Sequence, residues 1–137
     1  MLAKLSVIAL LAVALGGEGR YPAECKATRS GWVTPESGFN IRSPINRIRM
    51  QPDGSLLWNG SAVTDEQLVE YTGLLMEIGP QPFTMYEIEE GADCRRVEHI
   101  RALIHDRLKC AAGEVCGEGL GPWSITPWRR PHEPGGN

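Results

Sequence analysis

Between residues 45 and 78, two tight-turn signals and a helix start follow one another so closely that the stretch has few ways to fold. In Asn46-Arg47-Ile48-Arg49-Met50-Gln51 apolar and polar side chains alternate, the period of a strand with one buried face. Ile48 and Met50 are predicted to face a core, and Arg47 and Arg49 to face water. Pro52-Asp53-Gly54 supplies a preset φ, a side chain that bonds its own backbone and a residue tolerant of positive φ, which together make a turn. A return strand over residues 55–58 leads to Asn59-Gly60, a second tight turn. Thr64-Asp65-Glu66-Gln67 then reads as a capping box: the hydroxyl accepts a backbone N–H and the Gln67 side chain reaches back. Asp65 and Glu66 also suit the positive end of the helix dipole.

The helix is predicted over residues 64–78, with Leu68, Tyr71, Leu75 and Ile78 on its buried face. Gly73 weakens its interior by roughly 1 kcal/mol and allows close approach to the sheet. Gly79-Pro80 stops it. Residues 83–88, rich in aromatic and β-branched side chains, read as the next strand. Asp93 caps a second helix whose Val97, Ile100, Ile104, Leu108 and Ala111 share a face, with Lys109 near its C-terminus and Gly113 at its end. A short last strand is placed around residues 123–126. Strand, strand, helix, strand, helix and a final strand imply an α+β two-layer sandwich: a small mixed sheet with two helices on one face.

The N-terminus indicates compartment. A short cationic lead precedes the apolar run LSVIALLAVAL (residues 5–15), and Ala14-Leu15-Gly16 offers the small-x-small spacing of a signal-peptidase site. At about 1.5 Å per residue the run covers only about half of a ~30 Å hydrocarbon layer. Residues 1–19 therefore read as a signal peptide, with an uncleaved membrane anchor as the alternative. Residues 20–44 form an arm or linker in which Trp32, Val33, Phe39 and Ile41 are available for packing. Residues 45–126 form the domain and 127–137 a disordered tail.

The chain's four cysteines, Cys25, Cys94, Cys110 and Cys116, all follow the leader, and an even number in an exported chain points to two disulfides. Cys94 and Cys110 bracket the second helix, about 24 Å apart, which excludes that pair while the helix holds. Ala111-Ala112-Gly113 offers a turn between Cys110 and Cys116, leaving Cys25 with Cys94. By loop entropy the short bridge is worth roughly 2 kcal/mol and the long one roughly 4 kcal/mol. The alternative use of Cys110 and Cys116, a metal site with His105 and His132, lacks zinc-motif spacing, and no metal or other cofactor is expected.

A length of 137 residues allows one domain, and a net charge of −3 with only short basic pairs, Arg95-Arg96 and Arg129-Arg130, gives no nucleic-acid stripe. His99 and His105 are about 240° apart around their helix, so they share no face. Neighbouring His105 and Asp106 point apart, and no nucleophile is placed to complete a catalytic set. Glu87, Glu89 and Glu90 read as a solvated acidic cluster. The run Gly117-Glu118-Gly119-Leu120-Gly121 does not open a helix, so a phosphate loop is not expected. The chain is therefore read as non-enzymatic. Two features suit binding: the outer edge of the strand pair around Ile48 to Trp58, and the aromatic anchors Trp58, Trp123 and Trp128.

The block IRMQPDGSLLWNGSAVTDEQL followed by FTMYEIEEGADCRRVEHIRALIHDRL resembles the periplasmic domain of the ExbD/TolR family of biopolymer transport proteins. That family shows a strand ending in Asp-Gly, a strand leading to Asn-Gly, a valine and a helix, then a further strand and helix. The resemblance covers roughly residues 45–113. It implies a two-layer domain, a periplasmic place, a possible homodimer, and partners among the envelope proteins of a proton-driven transport motor or peptidoglycan. The family's acidic transmembrane helix has no counterpart: residues 5–15 contain no carboxylate, so the proton-relay role does not carry over. The alternatives are an inner-membrane-anchored accessory subunit of such a motor, with membrane contact only if the N-terminal segment is retained, and a small secreted inhibitor or binding protein.

Overall fold

Strand β1 (Ile45–Met50) alternates half-buried and buried positions along its length, with Ile48 and Met50 fully shielded as the sequence pattern predicts. The structure is a computed structural model and describes residues 19–35, 44–113 and 115–121. After β1 the chain reverses through Pro52-Asp53-Gly54, where Gly54 takes φ 85°. There the Ser55 hydroxyl and amide donate to the Asp53 carboxylate at 2.6 and 2.9 Å and hold its carboxyl below the usual range. Strand β2 (Leu56–Trp58) pairs antiparallel with β1, and β3 (Ser61–Val63) returns against β2 through Asn59 and Gly60, at φ 48° and 89°. Two successive positive φ angles give a turn whose twist matches the strands it joins, hence Asn-Gly. Strand β3 is absent from the sequence reading because so short a run shows no period. The Asn-Gly pair was its signal, since such a turn needs a strand on each side.

Helix α1 (Asp65–Met76) carries the capping box in full: Thr64 Oγ1 accepts from Gln67 N at 3.1 Å and Gln67 Oε1 accepts from Thr64 N at 2.9 Å. It ends before the predicted residue 78, where the Glu77 N–H bonds back to the Leu74 and Leu75 carbonyls. Leu68 and Leu75 are buried, Tyr71 is half-buried and Ile78 is exposed. Thr72 fills the remaining buried position by donating its hydroxyl to the carbonyls of Leu68 and Val69. Gly73 does not serve approach to the sheet. A Cβ there would lie 2.9 Å from Arg107 Nη2, so the missing side chain makes room for the second helix.

Strand β4 (Phe83–Ile88) and helix α2 (Cys94–Arg107) follow, the latter capped by Asp93, which accepts from Arg96 N at 3.2 Å. α2 ends earlier than its apolar spacing suggests. Lys109 adopts φ 52°, Cys110–Ala112 form a 3-10 turn, and Ala111 is exposed. Strand β5 (Cys116–Leu120) occupies the glycine-rich run, ahead of the short last strand expected at residues 123–126, which lie outside the described residues.

The five strands form one mixed sheet in the order β3-β2-β1-β4-β5, with β4 parallel to both β1 and β5. Ile48, Met50, Leu56, Tyr86 and Ile88 of the sheet meet Leu68 and Leu75 of α1 and Val97, Ile100, Ile104 and Leu108 of α2 in one core. The fold is thus α+β in two layers, with both helices on one face. On the opposite face Phe83 and Met85 pack with Val33 and Ile45, so β4 is buried on both sides. Glu87, expected among solvated acids, lies on this face fully shielded, paired with Arg47 at 2.6 Å and Arg49 at 3.3 Å.

Residues 19–35 run along α2. Near its start the Tyr21 N–H donates to the Ala92 carbonyl and the Tyr21 carbonyl accepts from the Gly91 N–H, and a disulfide joins Cys25 to Cys94 with Cα atoms 5.1 Å apart. Arg29 pairs with Glu98 at 2.8 Å, and the Trp32 indole N–H donates to His105 Nδ1 at 2.8 Å. The arm ends by joining the sheet: Val33 N–H donates to Cys116 O and Glu118 N–H to Val33 O, both at 2.9 Å. The second disulfide, Cys110–Cys116 (Cα atoms 5.4 Å apart), ties the end of α2 to β5. Both pairings match the ranking drawn from helix geometry, and they consume the two thiols of the alternative metal site. Phe39, Ile41 and residues 1–18, nearly all of the stretch expected to be a signal peptide, lie outside the described residues.

Candidate functional site

The helix-side surface at the β3 end of the sheet opens into a groove of about 550 Å³. Its sheet wall comes from Asn46, Trp58, Asn59, Ser61 and Val63, and its helix wall from Tyr71, Leu74, Leu75 and Ile78. The early stop of α1 shapes this wall, because Ile78 projects beyond the last turn. Leu74 and Ile78 each remain 54% exposed, the most exposed large apolar side chains among the described residues. Paired exposed leucine and isoleucine at the mouth of a concavity are more than scattered surface apolarity. Trp58 meets Tyr71 edge to face, with ring centroids 5.4 Å apart, so one expected anchor lines the groove as a half-buried aromatic. Trp123 and Trp128 lie outside the described residues.

The two amides of the groove are already committed. Asn59 Oδ1 accepts from Arg47 N at 2.8 Å, and Asn59 Nδ2 donates to Asn46 Oδ1 at 2.8 Å. Asn46 Nδ2 in turn donates to Thr84 Oγ1 at 3.3 Å. This chain of bonds fixes the β2–β3 corner and satisfies the buried Asn46 and Thr84. The lining itself offers aromatic and aliphatic surface and the hydroxyls of Ser61 and Tyr71, a composition suited to holding a ligand rather than to moving a proton.

Strand pairing corrects the position of the free edge. The strand pair expected to present an outer edge around Ile48 to Trp58 is covered on both sides, by β3 and by β4. The outer edge belongs instead to β3, which is unpaired on that side among the described residues. In a two-residue hairpin the residues flanking the turn bond each other, here Trp58 and Ser61. The N–H and C=O of Ala62 therefore point outward.

A second, smaller cleft of about 380 Å³ lies beside Cys94, between Glu24 and Lys26 of the arm and Arg95, Glu98 and Arg101 of α2. Its central charges are mutually bound. Arg101, 1% exposed, donates to both oxygens of Glu118 (5% exposed) at 2.6 and 2.7 Å, and to Glu98 at 2.7 Å. Burial alone disfavours the charged guanidinium, but the carboxylates outweigh it and hold Arg101 firmly protonated. For Glu98 burial raises the carboxyl pKa, and the bonds from Arg29 and Arg101 reverse the sign and lower it. This cleft is a structural ion-pair network. Among the described residues, no cluster of side chains has the makings of a metal site, and no helix is long and apolar enough to cross a membrane.

The two histidines separate as expected: His99 is exposed, 3.9 Å from Asp65, while His105 takes the Trp32 bond. No protein-family model, curated protein or solved structure matches the chain.

Proposed function

We propose that this chain is a non-catalytic, exported module of the ExbD/TolR type that serves envelope transport by associating with an envelope protein or with the cell wall. The observation that carries the reading is the β3 edge, unpaired on its outer side among the described residues, beside an open apolar groove, on a body whose other edge is closed by its own arm. An open edge is a template for a partner's backbone, and an adjoining apolar concavity gives that partner side-chain pockets. The order strand, Asp-Gly turn, strand, Asn-Gly turn, capped helix supports the family, and two disulfides support delivery to an oxidising compartment.

Pull-down from envelope extracts at physiological salt tests the reading, with Leu74→Ser/Ile78→Ser as the paired control. Recovery of an envelope protein or peptidoglycan fragment by the wild type, and its loss in the double variant, is expected. Recovery of neither, or equal recovery by both proteins, contradicts the proposal. The mass of the mature protein separates the exported module from the membrane-anchored alternative, which retains residues 5–15.

A further inference from the structure

We infer that the second half of the arm, residues 29–33, is a strap over the β5 edge that acid releases through His105. The first half is stapled by the Cys25–Cys94 disulfide and by the backbone bonds of Tyr21. Beyond the staple the arm turns at Gly31, φ 88°, where a Cβ would lie 3.3 Å from the Cys110 carbonyl oxygen. That turn seats buried Trp32 against α2 and Val33 against β5. This half is fastened by the Arg29–Glu98 pair, the Trp32–His105 bond and the two backbone bonds of Val33. The inference stands apart from the association reading, since it concerns the opposite edge of the sheet.

The Trp32–His105 bond exists in one protonation state only. The rings are nearly coplanar, at 11°, with centroids 6.2 Å apart, and a 2.8 Å contact is too short for a stack, so they meet edge to edge. An indole nitrogen only donates, so His105 Nδ1 must accept, and the imidazole is neutral with its proton on Nε2. An imidazolium would set two donors against each other. The charges around His105 do not offset that loss. Arg29 of the arm, Arg101 and Glu98 one and two turns back on α2, and Glu118 of β5 form a closed set in which each carboxylate is already held by arginine. Lys109, one turn ahead, adds positive charge, and Asp106 points away. His105 is half-buried, so water reaches it. Opening the strap lets His105 take up one proton in water, where histidine titrates near about pH 6.5. Closure is therefore complete above that range, and the open fraction grows by up to about tenfold per pH unit below it. Opening frees the Cys116 carbonyl and the Glu118 N–H, which leaves the β5 edge with unpaired backbone groups.

The test is hydrogen exchange on the full chain with both disulfides intact, read amide by amide and expressed as protection relative to the intrinsic rate at each pH. Protection of the Val33 and Glu118 amides should fall at least about tenfold between about pH 7 and pH 5. The Tyr21 amide, on the stapled side, and the Leu68 amide of α1 should hold steady over the same range. His105→Asn supplies an acceptor that does not titrate, and Trp32→Phe removes the donor, so each should flatten the pH dependence at Val33 and Glu118. If one variant fails to fold, the wild type and the other variant still decide. Equal protection of Val33 and Glu118 at the two pH values in the wild type overturns the inference. So does a pH dependence that survives in either folded variant, because another group then carries it. A fall at Tyr21 and Leu68 in step with Glu118 also overturns it, since acid then loosens the whole domain and not the strap.

Discussion

The two edges of this sheet are finished in opposite ways. At the β5 edge the arm adds Val33 as a further rung, both disulfides attach within the same flank, and a buried Arg101–Glu118 pair bonds α2 to the strand. At the β3 edge there is no staple, the strand is short and exposed, and apolar side chains stand in water. An exposed edge is a liability that proteins usually cover. Here one edge is covered by the chain's own residues while the other keeps its backbone groups and a groove together. Stability is concentrated on one flank, and the proposed function places recognition on the other.

The contrast predicts that substitutions on the closed flank unfold the protein and those on the open flank do not. The largest loss is expected for Arg101→Leu, about 3–5 kcal/mol in denaturant unfolding, because Glu118 is left buried and charged. Arg101→Leu/Glu118→Leu should recover most of that loss; an equally severe double variant would remove the ion pair from the explanation. Replacing Cys25 and Cys94 by serine should cost about 2–4 kcal/mol, read as a lower denaturation midpoint. Gly117→Ala follows at about 1–3 kcal/mol. Its Cβ would lie 2.7 Å from the Phe83 ring and 3.1 Å from the Val33 carbonyl, so faster exchange of the Glu118 amide, which bonds Val33, should accompany the loss.

A smaller effect is set by pH. The bonds from Arg96 hold the Asp65 carboxyl below its usual range, so the contribution is complete above about pH 4 and fades as pH falls through the folded value. The half-exposed pair is worth only about 0.2–1 kcal/mol after screening. Asp65→Asn should lower stability near neutrality and flatten this part of the acid dependence. Smallest of all, Leu74→Ser and Ile78→Ser should change stability by no more than about 0.5 kcal/mol, since both side chains are largely exposed. A large loss there would mean that the groove is core and not a surface.

Much of the framework was legible because local signals agreed with one another. The alternation in β1, the two turns, the capping box and the apolar spacing of α2 each have a local cause, and the structure contains all of them. Helix length excluded one disulfide pairing, and the turn at residues 111–113 favoured one of the other two. The groove was less legible, since it depends on where α1 stops and on a third strand too short to show a period. Trp58 was visible as an anchor, but Leu74 and Ile78 were not, because helical spacing assigned Ile78 to the core. The burial of Glu87 and the ladder of arm residues along α2 arise from contacts distant in sequence, which no local pattern encodes. Strand β5 was hidden by Gly117 and Gly119, although Gly117 is the residue that lets Val33 dock against the strand.

Photo-crosslinking in intact envelopes offers the most direct test of the division between flanks, with the reactive residue placed at Ala62 or Ile78 on the open side and at Ala27 on the closed side. Adducts should form from Ala62 and Ile78, join an envelope partner, and be absent from Ala27. Adducts arising from Ala27 alone, or equally from all three positions, would contradict the assignment of recognition to the β3 edge.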